Sequence, residues 1–109
     1  MDIDENAQGK IQEVQMLEQN MQSMLMQKQA FEMELNETEN AISEISKSSE
    51  DAYKLISNIM IKTDKEKVKK DLLQKKDLIN LRLKSIESQE KALSKQLEEL
   101  RSEIMKNIK

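Results

Sequence analysis

The groups that could do chemistry in this chain are carboxylates and amines. The string "NETEN", Asn36 to Asn40, sets two carboxylates close together, and a carboxylate pair can in principle divide general acid and base work. On an exposed helix face, however, such residues serve solvation. Nucleophile pairs of the Ser-His or Cys-His kind need residues the chain does not contain, because it has neither His nor Cys. The usual zinc ligands are missing for the same reason, so no catalytic residue, metal or other cofactor is expected. No Gly-rich phosphate loop is present either, which predicts behaviour independent of ATP.

Amines concentrate in "KTDKEKVKKDLLQKK", Lys62 to Lys76, which holds seven Lys. Phosphate contacts from such a run would give salt-dependent nucleic-acid binding. Interleaved acids, a net charge of -3 and the lack of stacking aromatics oppose that reading. The run reads as the solvated face of a helix, with no nucleic-acid partner.

What must carry these groups is helical. The 109 residues suffice for one domain at most, and 36% of them are charged. One Gly, no Pro, one Tyr and one Phe leave a mixture of Glu, Lys, Gln, Leu and Met that suits long solvated helices. A hydrophobic share of 37%, regularly spaced, is too high for a disordered chain. No apolar run approaches the roughly 18 residues of a membrane span, and the acidic "MDIDENAQ" is unlike a signal or transit peptide. With no disulfide chemistry available, a cytoplasmic setting is expected.

Apolar residues recur every seven positions through the first half. One column reads Ala7, Val14, Met21, Lys28, Leu35, Ile42; a second reads Lys10, Leu17, Met24, Phe31, Thr38, Ile45. This spacing lays a stripe along one helix, about residues 3–49, and asks for a partner helix against it. In the second half Leu72, Ile79, Ile86, Leu93 and Leu100 form one column, joined by Leu83, Leu97 and Ile104; Lys76 and Glu90 interrupt it. The second helix should cover about residues 64–108. Leu73, Leu78 and Leu81, with Ile11, Leu25 and Met26, lie off these columns, and those near the middle of the chain are expected to cover a neighbouring element.

Between the helices, "DAYKLISNIMIKTDKE" changes character. "AYKLI" and "IMIKT" are β-compatible, and Ser57-Asn58 can turn between them, since Asn tolerates positive φ. The expected hairpin, about residues 52–63, pairs Ile56 with Ile59, Leu55 with Met60 and Tyr53 with Lys62. Ile56, Ile59 and Ile61 then share one face while Tyr53, Leu55 and Met60 share the other. Thr63, with Glu66 three residues on, is expected to cap the second helix. The predicted fold is thus mainly α, a long antiparallel coiled-coil hairpin whose helices are joined by a short β-hairpin.

An isolated two-stranded hairpin is marginal in water, and this one would offer two apolar faces and two unpaired edges. It makes physical sense as a joint, where several hairpins build a shared sheet or barrel. A coiled-coil dimerisation or tethering subunit would share the helices but has no use for such a segment.

Layout and local strings together resemble the β-type subunit of prefoldin, a holdase chaperone. The strings are "QKQ" at Gln27 to Gln29, "NET" at Asn36 to Thr38, "EDAYK" at Glu50 to Lys54, "NIMIK" at Asn58 to Lys62 and "SQEK" at Ser88 to Lys91. The resemblance runs from about Val14 to Ile104, and one departure is Ser57, where the family usually has Gly. It implies a hexamer of two α-type and four β-type subunits joined through their hairpins, with the coiled-coil ends gripping non-native protein for transfer to a group II chaperonin. The short tails favour an archaeal-type subunit.

The residues fit such a grip. Folding back should bring Ile3, Ala7, Ile11 and Val14 to meet Leu97, Leu100, Ile104, Met105 and Ile108 at the end far from the hairpin. Gly9 weakens the helix there by about 1 kcal/mol relative to Ala, and terminal turns fray. Frayed apolar ends, extended by adaptable Met side chains such as Met16, Met26 and Met33, suit weak binding of many unfolded sequences. Met21 and Met24 read instead as seam packing.

Overall fold

The computed structural model describes residues 5–107, so Ile3 and Ile108 lie outside the described residues. Helix α1 runs Glu5–Lys47, strand β1 Ala52–Ile56, strand β2 Ile59–Thr63 and helix α2 Lys65–Asn107. Each helix has 43 residues, about 64 Å of rise, and each places an acid in its first turn and a lysine in its last, where the helix dipole favours them.

The chain divides into two compact units. The terminal unit comprises Met1–Gln29 and Lys84–Lys109; the hairpin unit is Ala30–Leu83. In the terminal unit the helices run antiparallel, as three cross-helix ion pairs record: Lys10 with Glu103 at 3.2 Å, Glu18 with Arg101, and Lys28 with Glu90 at 3.3 Å. Ala7, Val14, Ile86 and Leu97 are buried along the seam, while Leu17, Met21, Met24, Leu93, Leu100 and Ile104 are half-buried. The hairpin unit repeats the arrangement, with Glu34 meeting Lys75 at 3.4 Å and Arg82 standing 5.7 Å over the Phe31 ring. Its seam buries Ile79, Leu83 and Thr38. Thr38 holds a seam position because its hydroxyl donates to the Glu34 carbonyl one turn back, 2.7 Å away, which leaves only its methyl to pack.

The heptad columns therefore mark the buried stripe as expected. Their interruptions have a physical resolution that the columns alone do not show. Lys28 and Glu90, which break opposite columns, meet each other, and two partly buried charges become one ion pair. Glu90 Oε1 is buried without a hydrogen-bond partner, so the pair is only half satisfied.

Helix α1 ends where Ser48 still donates its amide to the Glu44 carbonyl, and the Ser48 hydroxyl then accepts the amide of Glu50. That local turn diverts the backbone from helix to strand. At the start of α2 the expected cap is corrected. Asp64, not Thr63, accepts the Glu66 amide through Oδ1 at 3.1 Å, and its carbonyl takes the first helical bond from Val68. Thr63 cannot serve because it is still a strand residue, paired with Ala52.

Candidate functional site

The hairpin register is the one the alternation demands: Tyr53 opposite Lys62, Lys54 opposite Ile61, Leu55 opposite Met60 and Ile56 opposite Ile59. Ser57 and Asn58 both take positive φ, 47° and 68°, the requirement of a type I′ turn. That turn matches the right-handed twist of the strands, which is why two residues suffice. Lys62 reaches Asp51 at 3.3 Å across the open end.

Because directly opposed residues share a face, Ile56, Ile59 and Ile61 lie on one side of the ribbon and Tyr53, Leu55 and Met60 on the other. All six are exposed: Leu55, Met60 and Ile59 retain 67%, 69% and 63% of their surface. The hairpin rests only lightly on its own helix, where Tyr53, Lys54 and Thr63 share a shallow hollow with Lys67, Val68 and Leu72. Among the described residues the sheet has two strands, so each strand keeps one edge without a ladder partner. Apolar side chains on both faces and unsatisfied backbone on both edges form a surface that water solvates poorly.

The second set of expected site residues lies in the terminal unit. Ala7, Val14 and Leu97 are buried between the helices; Ile11, Leu100 and Ile104 are half-buried; Met105 is exposed. The structure thus brings these residues together as a closed seam, and presenting the inner ones to a partner requires the ends to part. Met16, Met26 and Met33 stand exposed outside the seam. Leu73, Leu78 and Leu81 also remain exposed, so the expectation that they cover another element is not met within this chain.

Sequence reasoning missed Asp64 and the Lys28–Glu90 pair. Asp is as good a cap as Thr, and its place directly before a lysine-rich helical run was the available signal. The pair was legible as two opposite charges interrupting two columns that must face each other after folding back about Ser57-Asn58.

Among the described residues no group of acids could hold a metal ion, and no helix is long and apolar enough to cross a membrane.

Two long helices joined by an exposed two-stranded ribbon define a class of proteins that build larger assemblies through their β-segments. Comparison with known proteins agrees. A family model described as prefoldin subunit matches residues 8–109. The prefoldin subunit beta of Saccharolobus islandicus is 35% identical over 99 residues, covering 89% of this chain and 79% of its own. That of Pyrobaculum neutrophilum is 39% identical over 90 residues, covering 81% and 71%. The crystal structure of the prefoldin beta subunit from Thermococcus strain KS-1 superimposes with a TM-score of 0.88 at 32% identity, covering 96% of this chain and 94% of that one. The chain belongs to the prefoldin subunit family, on its β side, and so to a family of chaperone subunits rather than of enzymes.

Proposed function

We propose that the chain works as one subunit of an ATP-independent holdase in the cytoplasm. It assembles through its hairpin with an α-type subunit and further copies of itself into an α2β4 hexamer. The free coiled-coil ends hold non-native proteins and pass them to a group II chaperonin. The observation that carries this reading is the hairpin: six exposed apolar side chains on two faces, with strand edges open on both sides. The rival, a coiled-coil dimerisation or tethering subunit of another complex, leaves that surface without a purpose.

The terminal unit supports the holding step. Its seam is narrow, its helix carries Gly9 near one end, and a Cβ at that glycine would meet nothing within 4 Å. Packing therefore does not require glycine there, and its effect is to loosen the turn. Parting of the ends would offer Ile11, Val14, Leu97 and Ile104 to a client, each worth about 1.5 to 3 kcal/mol when fully buried.

The test is suppression of light scattering by a chemically unfolded protein, with oligomer mass followed in parallel. Removing residues 1–13 and 98–109 takes away much of the terminal unit and leaves the hairpin unit whole. Truncated hexamers should persist and no longer protect, and nucleotide should change neither result. Truncated assemblies that protect as well as the full chain would move the client site elsewhere. Assemblies that fall apart would make the ends structural and end the holdase reading.

A further inference from the structure

The hairpin unit carries two outward lines of side chains that the seam does not use. On α2, Lys67, Lys70, Gln74, Leu78 and Leu81 recur at steps of three and four residues, which sets them on one line of the helix. All are exposed, Leu78 at 50% and Leu81 at 64%. On α1, Met33, Glu37, Asn40 and Glu44 follow the same stepping and are exposed too. Among the described residues Lys67, Lys70, Glu37 and Glu44 make no ion pair within the chain; the pairs of this unit are Lys75 with Glu34 and Lys62 with Asp51.

The two lines complement each other when both are read outward from the hairpin. Glu44 lies in the last turn of α1, and Lys67 lies in the first turn of α2, with Lys70 in its second. Asn40 and Gln74 each sit about three turns out. Met33, Leu78 and Leu81 sit about four to five turns out. Acid thus falls opposite base, amide opposite amide and thioether opposite leucine, with no shift of register. Within one chain the lines cannot meet, because each faces away from the seam that joins its helices.

We propose that these lines are a lateral interface between two copies of this chain: α1 of one copy packs antiparallel against α2 of its neighbour, forming a collar beside the hairpins. The inference rests on the reading of the hairpin as the joint, since hairpins held side by side point both copies the same way and put like distances level. Charge complementarity favours a second copy, because both halves of the match are encoded in one chain. The contact is head-to-tail: each copy gives its acidic line to one neighbour and its basic line to the other. It also gives Leu78 and Leu81 the cover they lack in the single chain.

The chain has no Cys, so introduced thiols report cleanly. The M33C and L78C variants are mixed, assembled with a cysteine-free α-type subunit, checked by native mass and oxidised mildly. Disulfide-linked M33C–L78C dimers should form in the mixture, and neither variant alone should cross-link. In a second arm, the E37K/E44K variant should raise the concentration for half-assembly roughly tenfold at low salt, the combined effect of two weak ion pairs made repulsive. The fourfold E37K/E44K/K67E/K70E variant should restore it, because every contact is then reversed on both sides. Intact hexamers without the cross-link, with dimers only between identical positions, or indifferent to charge reversal overturn the collar and leave the hairpin joint standing. Failure of the unmodified chain to form oligomers at all overturns both.

Discussion

The two units are built from the same helices and are finished to different degrees. In the terminal unit apolar residues are covered by the chain itself: Ala7 is fully buried, and Leu97 keeps 5% of its surface. Three ion pairs bridge its helices. In the hairpin unit the bulkiest apolar residues outside the seam, Leu55, Ile59 and Met60 among them, are left to solvent. Burying an aliphatic side chain of that size is worth about 1.5 to 3 kcal/mol. Six of them together therefore represent a driving force larger than the stability of many small domains. The lesson is that one unit is complete as a single chain and the other is a fraction of a core. A chain of this size cannot close that core alone.

The largest effect should come from making the fraction impossible to complete. Ile59→Asp with Ile61→Asp places two carboxylates on one face of the ribbon, where assembly would bury them at a cost of several kcal/mol. Native mass should show loss of the hexamer, while circular dichroism retains the helices, because neither residue touches a seam. Assembly that survives both substitutions would mean that the exposed faces are not the joint and that the contrast between the units has been misread.

A smaller effect tests the completeness of the terminal unit. Lys28 and Glu90 sit on the seam with 26% and 20% of their side chains exposed. Lys28→Met leaves Glu90 with both oxygens unpartnered in a largely apolar layer, and should cost about 1 to 3 kcal/mol in thermal or urea unfolding. The double variant Lys28→Met/Glu90→Leu removes both charges and should recover that loss or exceed it. Equal destabilisation by the single and double variants would show that the pair does not act as a unit. If the double variant is more stable yet its helices slip, seen as altered cross-linking between α1 and α2, the pair's role is register.

These particulars show how much was legible beforehand. The seam and the hairpin could be read because each rests on a period, 3.5 residues in one case and 2 in the other, and no competing signal interrupts either for long. The ladder register followed once the turn was placed at Ser57-Asn58. The cap could not be assigned, since Thr63 and Asp64 are both competent and the choice depends on where the strand stops pairing. The partnership of Lys28 and Glu90 was hidden for a related reason: a heptad says which residues face the other helix, not which residue they meet. The state of the end residues was also not legible. Periodicity puts Ala7, Val14 and Leu97 on the seam, and only coordinates show how completely the closed seam covers them.

The smallest effects come from exchanging glycine in opposite directions in the two units, which sharpens the contrast most. Ser57 holds φ at 47°, a region that costs a residue with a Cβ about 1 to 2 kcal/mol. Ser57→Gly removes that strain and gives back part of the gain through a more flexible unfolded chain, for a net of roughly 0.5 to 1 kcal/mol. Gly9 is the reverse case: it sits inside α1 with no positive φ and open space around its missing Cβ. Gly9→Ala should therefore strengthen that helix by about 1 kcal/mol. Similar stabilities should have dissimilar consequences. The relaxed turn of the Ser57→Gly variant only presets a surface that assembly would order anyway, so the oligomer should form at slightly lower concentration while light-scattering protection is unchanged. The stiffer helix of the Gly9→Ala variant opposes parting of the seam, so protection should weaken several-fold while oligomer mass stays the same. Amide hydrogen exchange around residues 7–14 checks the cause, since slower exchange must accompany the weaker protection. If Gly9→Ala slows exchange and protection is untouched, clients are held without opening the seam, and the exposed Met16, Met26 and Met105 become the surface to test next.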